Sequence, residues 1–215
     1  MIILGIHTAG PACELALLRD GALVGERREE MMRGQDARLP EMTRDLLSHH
    51  AVEFEDIARF AVITGPGSFT GIRVGVAFAR GLALASGGTA IGVTTLEAAL
   101  PAGQQGSAIV ALPAQKRPPD ITFWTQTFRS GERTGDPIER PLEDLQALLS
   151  SHPHMVYGDP DALGPHLPST SIHPATPSAA RAAELAALFD PELNPPRPSY
   201  ARAPDAALPQ SKTSA

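Results

Sequence analysis

Short apolar runs alternate with longer amphipathic segments along the first hundred residues. The apolar runs are bounded by Gly, Pro, Asp or charged residues, which is typical of strands. They predict five strands, over residues 2–8, 13–18, 22–30, 59–64 and 89–94. The turn signal Asp20-Gly21 joins the second strand to the third, so we expect the first three strands to pair antiparallel.

Two amphipathic segments interrupt these strands. Leu39, Met42, Leu46 and Leu47 follow the spacing i, i+3, i+7, i+8, which predicts a helix over 36–50. A second apolar helix is predicted over residues 69–86, and it begins within the glycine-rich stretch TGPGSFTG of residues 64–71. Three antiparallel strands followed by helix, strand, helix and strand make the α/β layout of ribonuclease H-like folds. This layout is the half-unit of the actin-like ATPases (the ASKHA fold).

The second half of the chain has a different character, because only three of the 21 prolines precede residue 101. We place a boundary at residues 101–106, in the sequence PAGQQG. The first lobe then covers residues 1–104, and residues 105–176 form a smaller and degenerate second lobe. Three strands and one helix are predicted there, at residues 107–112, 121–128 and 155–158 and at residues 142–150.

The last forty residues contain one more periodic segment. Thr176 is the predicted N-cap, and Pro177 the first residue, of a helix over 177–190 that completes the first lobe. Residues 194–215 are rich in Pro and Ala and lack periodicity. We expect this tail to run extended over the surface.

The net charge and the cysteine content argue against several kinds of binding site. The 215 residues carry a formal net charge of -6, which is the wrong sign for a chain that holds nucleic acid by itself. Any contact with RNA is therefore expected to be indirect, through a more basic co-binder. Cys13 is the only cysteine, so an internal disulfide and a thiolate metal cluster are excluded. The opening MIILGI has no basic flank and is too short to span a bilayer, so we expect a cytoplasmic protein with no membrane contact.

The glycine-rich stretch fits none of the common nucleotide or nucleophile motifs. A Walker loop needs a lysine, and the first lysine of the chain is Lys116. The glycine spacing is one residue too long for a dinucleotide fingerprint, and Ser68 stands in the wrong register for a nucleophile elbow.

Two interpretations of this stretch stay open. In one, the helix N-terminus binds an anion or a nucleotide; the residues for that site are Gly65, Gly67, Ser68, Thr70 and Arg73. In the other, the small residues let the helix approach another helix or the sheet closely. Gly71, Gly75 and Ala79 form one stripe at i, i+4 spacing, and Ala77, Gly81 and Ala85 form a second.

Four segments resemble one known family. The start ILGIHTA...CELALLRDG, the segment RGQDARLPEMTRDLL, the block GPGSFTGIRVGVAFARGLAL and the stretch IGVTTLEAAL are similar to the TsaB (YeaZ) family. The tail PSYARAPDA resembles the closing motif of that family, whereas residues 107–175 match it poorly.

The resemblance implies an accessory protein in the synthesis of N6-threonylcarbamoyladenosine on tRNA. It implies an actin-like fold and no catalytic residues. The expected partners are a TsaD-type catalytic subunit and a TsaE-type ATPase, and a homodimer forms when the chain is alone. No cofactor is expected, except ATP or ADP at the partner interface. Family members build that interface from the two helices of the first lobe, which here assigns it to Leu39, Met42, Leu46, Gly71, Gly75 and Ala79.

Two departures from the family and its catalytic relatives argue against catalysis. Family members carry Asp-Thr at the end of the first strand, where this chain has His7-Thr8. Gln35 and Leu39 lie where the catalytic relatives carry a metal-binding His-x-x-x-His, so no metal site is expected.

Three other functions remain as alternatives. One is an actin-like ATPase. Another is a glycoprotease-like hydrolase, in which Ser68 would be the nucleophile and His7 its base. The third is a structural dimer that needs no catalytic partner.

Overall fold

The computed structural model describes residues 1–31, 33–117 and 120–200. The first lobe is built on a five-stranded sheet of β1 (Ile2–His7), β2 (Ala12–Arg19), β3 (Ala22–Glu30), β4 (Ile57–Ile63) and β5 (Thr89–Val93). The strand order is β3-β2-β1-β4-β5. β1, β2 and β3 pair antiparallel, and β1, β4 and β5 pair parallel. This order confirms the ribonuclease H-like layout predicted from the sequence.

Two helices of the first lobe pack together beside this sheet. α1 (Gln35–His49) contacts β2 and β3, α2 (Phe69–Ser86) contacts β4 and β5, and the two helices contact each other. The bounds of α2 agree with the prediction, and α1 begins and ends one residue earlier than predicted. Gly87 follows α2 in the left-handed conformation, at φ 76°, which is the usual helix stop.

The second lobe contains a six-stranded sheet and two helices. Its elements are β6 (Ser107–Arg117), β7 (Asp120–Arg129), β8 (Glu132–Arg133), β9 (Ile138–Pro141), α3 (Leu142–Ser151), β10 (Met155–Gly158), α4 (Pro160–Leu163) and β11 (Ile172–Pro174). The order β11-β10-β6-β7-β8, with β9 also on β7, repeats that of the first lobe. The helix between β10 and β11 has four residues, whereas α2 has 18 at the equivalent place. The predicted smaller, degenerate second lobe is confirmed.

A last helix, α5 (Ala179–Leu188), packs against β1, β2 and β4 of the first sheet. The prediction that Thr176 caps this helix is wrong, because Ser178 is the N-cap and its Oγ accepts a hydrogen bond from Arg181 N–H at 3.1 Å. A Cβ on Gly5 would lie 2.1 Å from the carbonyl oxygen of Ala179. β1 therefore needs glycine where α5 crosses it.

An extended segment follows α5, and we call residues 194–200 the strap. Gly92 N–H in β5 donates to the carbonyl oxygen of Asn194 at 2.9 Å. Ser199 N–H donates to the carbonyl oxygen of Thr64 at 2.8 Å. The strap thus lies against the edge strand of the first sheet. Residues 201–215 of the predicted tail lie outside the described residues.

Buried polar side chains connect the two lobes. Thr94 Oγ1 donates to Gln126 Oε1 at 2.8 Å, and Glu97 accepts from Thr94 N–H at 2.7 Å. Arg133 Nη1 lies 3.3 Å from the second oxygen of Glu97. Glu97 is therefore both hydrogen-bonded and ion-paired, which offsets the cost of burying its carboxyl group.

Candidate functional site

The glycine turn between β4 and α2 is held by its own chain on two sides. Thr95 N–H donates to Gly65 O at 2.9 Å, and Thr95 Oγ1 donates to Pro66 O at 2.6 Å. On the other side, Ser68 N–H donates to Ala9 O at 2.8 Å. Gly65 has φ 109°, and a Cβ there would lie 2.5 Å from the carbonyl oxygen of Ser199. Glycine is therefore required at Gly65 by both conformation and space.

The structure brings the five residues of the predicted anion site together at the start of α2. Two of them already have partners within the chain. Ser68 caps the helix, with its Oγ accepting from Gly71 N–H at 3.2 Å, and Arg73 Nε donates to the Tyr200 hydroxyl at 2.9 Å. Thr70 is exposed in the first turn. An anion or nucleotide at Gly65, Gly67, Ser68, Thr70 and Arg73 stays a prediction.

The first stripe of small residues on α2 faces the sheet. A Cβ on Gly71 would lie 2.0 Å from the carbonyl oxygen of Thr8, and one on Gly75 would lie 2.4 Å from Thr8 Oγ1. Thr8 Oγ1 also donates to Gly71 O at 2.7 Å. Ala79 continues the stripe and is fully buried. Gly71 and Gly75 are glycine because α2 passes directly over the end of β1.

The core of the first lobe buries the predicted interface residues of α1 as well. Leu39 and Leu46 are 0% exposed, and Met42 is 2% exposed. All six residues assigned to the interface, including Gly71, Gly75 and Ala79, are therefore buried within the first lobe. An interface on the two helices stays a prediction. The side chains available for it are the exposed neighbours of these six.

The second stripe of α2 is open to solvent. Ala77, Gly81 and Ala85 are exposed, and Leu84 beside them is 88% exposed. A Cβ on Gly81 would have no described residue within 4 Å. α2 is long and apolar enough to cross a membrane, with a mean hydropathy of 1.2, yet only 28% of it is buried in the described part of the chain. Much of an apolar helix thus faces outward.

A groove of about 510 Å³ runs between α1 and α2 beside this exposed stripe. Its walls include Pro40, Thr43, Leu47, Phe78 and Leu82. Thr43 Oγ1 is buried, and it has no hydrogen-bond partner in the part of the chain that the structure describes. Large exposed apolar areas of this kind mark interaction surfaces in soluble proteins. We call the groove and the second stripe the α1–α2 face.

His7 is buried in the first lobe. It is 3% exposed, and its burial, together with the charge of Arg28, lowers its pKa to about 4. Its Nδ1 has no hydrogen-bond partner among the described residues. Glu14 is opposite His7 on β2 and forms an ion pair with Arg28. His7 is therefore a neutral imidazole at pH 7.

The Ser68–His7 dyad of the hydrolase alternative finds no support in these contacts. Ser68 Oγ is used in capping α2. No hydrogen bond joins Ser68 to His7 in the described part of the chain. A nucleophilic serine would need such a contact with its base.

The cleft between the lobes is poor in hydrogen-bond donors. A cavity of about 390 Å³ lies there, and prolines make up half of its walls: Pro11, Pro113, Pro160, Pro174 and Pro177. Because proline has no N–H, these positions cannot donate to a phosphate. Among the described residues, no group of three or more His, Cys, Asp and Glu side chains could hold a metal ion. The ATPase alternative gains no support from this cleft.

Comparison with known proteins gives matches of two kinds. Residues 29–115 match the family model described as TsaD, tRNA N6-adenosine threonylcarbamoyltransferase. The tRNA threonylcarbamoyladenosine biosynthesis protein TsaB of Escherichia coli is 43% identical over 96 residues, which are 45% of this chain and 41% of that protein. The matched region thus spans less than half the length of the first curated relatives.

The solved structures show the fold. YeaZ from Pseudomonas aeruginosa has a TM-score of 0.69 at 24% identity, covering 93% of this chain and 99% of that one. The ROK hexokinase of Thermus thermophilus has a TM-score of 0.52 at 13% identity, covering 87% and 98%. The two-lobed actin-like fold is thus confirmed. In fold, and in sequence over the 96 residues matched to TsaB of Escherichia coli, the chain is similar to proteins of the TsaB/YeaZ family.

Proposed function

We propose that this chain takes part in N6-threonylcarbamoyladenosine synthesis on tRNA as a non-catalytic partner subunit of a TsaD-type transferase. The names of its curated relatives support the pathway. The match to the TsaD family model supports the choice of partner.

The observation that carries this proposal is the exposed apolar surface of α2. Gly81 has open space around it, and the groove beside α1 is walled largely by apolar side chains. Small exposed residues allow a second helix to approach closely, and the groove can receive larger side chains from it. The α1–α2 face is therefore the proposed contact with the catalytic subunit.

The segment that resembles TsaD supports a contact through the α1–α2 face. Residues 29–115 include both α1 and α2. A TsaD-type subunit with a related helix pair could pack against this pair about an approximate twofold axis. A surface that meets a related surface in this way can also meet its own copy. We therefore propose a homodimer through the same face when the catalytic subunit is absent.

The remaining roles follow from the partner assignment. The net charge of -6 favours contact with tRNA only through the catalytic subunit. ATP or ADP is proposed only at the junction of the subunits, where a TsaE-type ATPase would join the complex. A cytoplasmic location fits this pathway. The buried, neutral His7 and the proline-lined cleft are the reasons for assigning no catalytic role to the chain.

The test is a binding measurement followed by an activity measurement. Gly81→Arg should abolish binding to the TsaD-type subunit, because the long charged side chain would block close approach of a partner helix. Gly135→Arg makes the same change at an exposed second-lobe glycine with nothing within 4 Å of its Cβ position, and it should bind normally. Circular dichroism of both variants would establish that each is folded.

The activity measurement uses threonine, bicarbonate, ATP, the synthase for the adenylate intermediate, and the TsaD-type and TsaE-type proteins. Modified tRNA should form with the wild-type chain and with Gly135→Arg, but not with Gly81→Arg. Modification that proceeds equally well without the chain would contradict the proposal.

A further inference from the structure

Arg73 lies at one end of the exposed stripe of α2, one turn before Ala77 and two turns before Gly81. Its guanidinium carbon is 3.9 Å from the centre of the Phe69 ring. Its Nε donates to the Tyr200 hydroxyl at 2.9 Å, and the rings of Phe69 and Tyr200 are 5.0 Å apart. An exposed arginine is thus held in one orientation by two aromatic side chains.

The strap fixes the tyrosine that makes this contact. Hydrogen bonds from Gly92 N–H to Asn194 and from Ser199 N–H to Thr64 hold the strap at both ends. Tyr200 directly follows the second of these bonds. The hydrogen bond of the preceding residue thus helps to fix the position of the Tyr200 hydroxyl beside the first sheet.

The charge of Arg73 has no acidic partner within the described residues. Arg28, Arg38, Arg133 and Arg181 each form an ion pair with a glutamate, whereas neither terminal nitrogen of Arg73 makes a hydrogen bond or ion pair with any residue that the structure describes. A planar guanidinium that keeps two terminal nitrogens free is suited to a carboxylate, which it can bind through two hydrogen bonds. Because stacking and the Nε bond already restrict the side chain, binding would cost little rotamer entropy.

We propose that Arg73 is a preformed anchor for a carboxylate of the partner subunit, and that Phe69 and Tyr200 position it. This inference rests on the proposed function, since it names the charge chemistry of the same interface. A protein carboxylate is favoured over an RNA phosphate because three of the exposed residues that follow Arg73 on α2, Ala77, Gly81 and Leu84, are apolar, and only Arg80 among them is charged. The acidic net charge of the chain also opposes RNA.

The test compares two arginines of one helix. The dissociation constant for the TsaD-type subunit is measured by calorimetry for the wild type, Arg73→Ala and Arg80→Ala. Arg80 is also exposed on α2, but it makes no aromatic contact in the described structure. Arg73→Ala should weaken binding at least about tenfold, and Arg80→Ala by no more than about twofold. Raising the salt concentration should weaken the wild type more than Arg73→Ala.

Tyr200→Phe tests the positioning role separately. It removes the hydroxyl that accepts from Arg73 Nε and keeps the ring beside Phe69, so we expect about threefold weaker binding. In the free protein, the Arg73 Nε–H should exchange slowly with solvent by nuclear magnetic resonance. That protection should be lost in Tyr200→Phe and kept in Tyr157→Phe, which changes a second-lobe tyrosine.

The outcomes separate this inference from the proposed function. If the wild type binds, Gly81→Arg does not, and Arg73→Ala behaves like Arg80→Ala, the anchor is overturned and the interface stands. If Arg73→Ala leaves subunit binding unchanged but weakens tRNA binding by the complex, the anchor is overturned in favour of a phosphate contact. If the wild type does not bind the TsaD-type subunit, both proposals fail.

Discussion

Helix α2 carries two stripes of small residues that look alike in the sequence and meet different surroundings. Gly71 and Gly75 press against the end of β1, where Thr8 leaves no room for a Cβ at either glycine, and Ala79 is fully buried. Ala77, Gly81 and Ala85 face outward, and Gly81 has open space around it. On the first stripe, small size is required by the fold. On the second stripe, the described part of the fold makes no such demand.

Substitution of the buried stripe should have the largest effect. Gly71→Ala places a Cβ 2.0 Å from a backbone oxygen of Thr8, which cannot move without shifting β1. We expect a loss of at least about 3 kcal/mol in the free energy of unfolding, at the upper end of overpacking effects. Urea denaturation followed by circular dichroism measures it. A midpoint within error of the wild type would show that α2 does not press on β1.

The free energy of unfolding should fall at acidic pH because His7 is buried as a neutral imidazole. The pKa of about 4 in the folded chain lies below the ordinary value of 6.5, so the unfolded chain takes up the proton first as the pH falls. This contribution is complete above about pH 6.5. We expect a loss of about 3 kcal/mol as the pH falls from 7 to 4.

His7→Gln is the control for this pH dependence, because glutamine is polar but does not titrate. Urea denaturation of both proteins at several pH values between 7 and 4 isolates the His7 contribution from that of the carboxylates. If the two free energies of unfolding fall in parallel with pH, His7 does not titrate as a buried group.

Substitution in the exposed stripe should change the free energy of unfolding least. It should raise stability, whereas substitution in the buried stripe lowers it. Gly81→Ala meets nothing within 4 Å and replaces glycine inside a helix by the best helix former. We expect a gain of about 1 kcal/mol in stability. Thermal and urea denaturation of Gly81→Ala and Gly71→Ala, measured side by side, give the difference in stability between the two variants. A loss of stability in Gly81→Ala would mean that the two stripes do not differ as described.

Much of the first lobe could be predicted because its signals are local. The bounds of β3 and α2 were predicted to the residue, since the hairpin turn before one and the TGPGSFTG stretch at the start of the other mark where each element begins. The N-cap of α5 was predicted wrongly, because Thr176 before Pro177 is as good a local signal as Ser178. Only the geometry of the first helical turn distinguishes them.

The candidate site was harder to predict because it depends on contacts between distant segments. Spacing alone does not distinguish Gly71 from Gly81. The difference is that Thr8 packs against Gly71 and not against Gly81, and Thr8 is far from both in the sequence. The contact between Arg73 and Tyr200 joins residues 127 positions apart, and the strap has no periodicity from which its docking could be inferred. The sequence marks His7 at the end of β1 as unusual, but it does not predict that the side chain is buried.

The position of α5 has a consequence for how the protein is made. This helix covers one side of the first sheet, although its residues are translated only after the whole second lobe. A ribosome adds roughly 5–20 residues per second, so β1 to β5 exist for several seconds before their cover emerges. During that interval the apolar side of the sheet is exposed, and the nascent chain has to be kept from aggregating. The order of the elements along the chain thus creates a need for chaperones during translation.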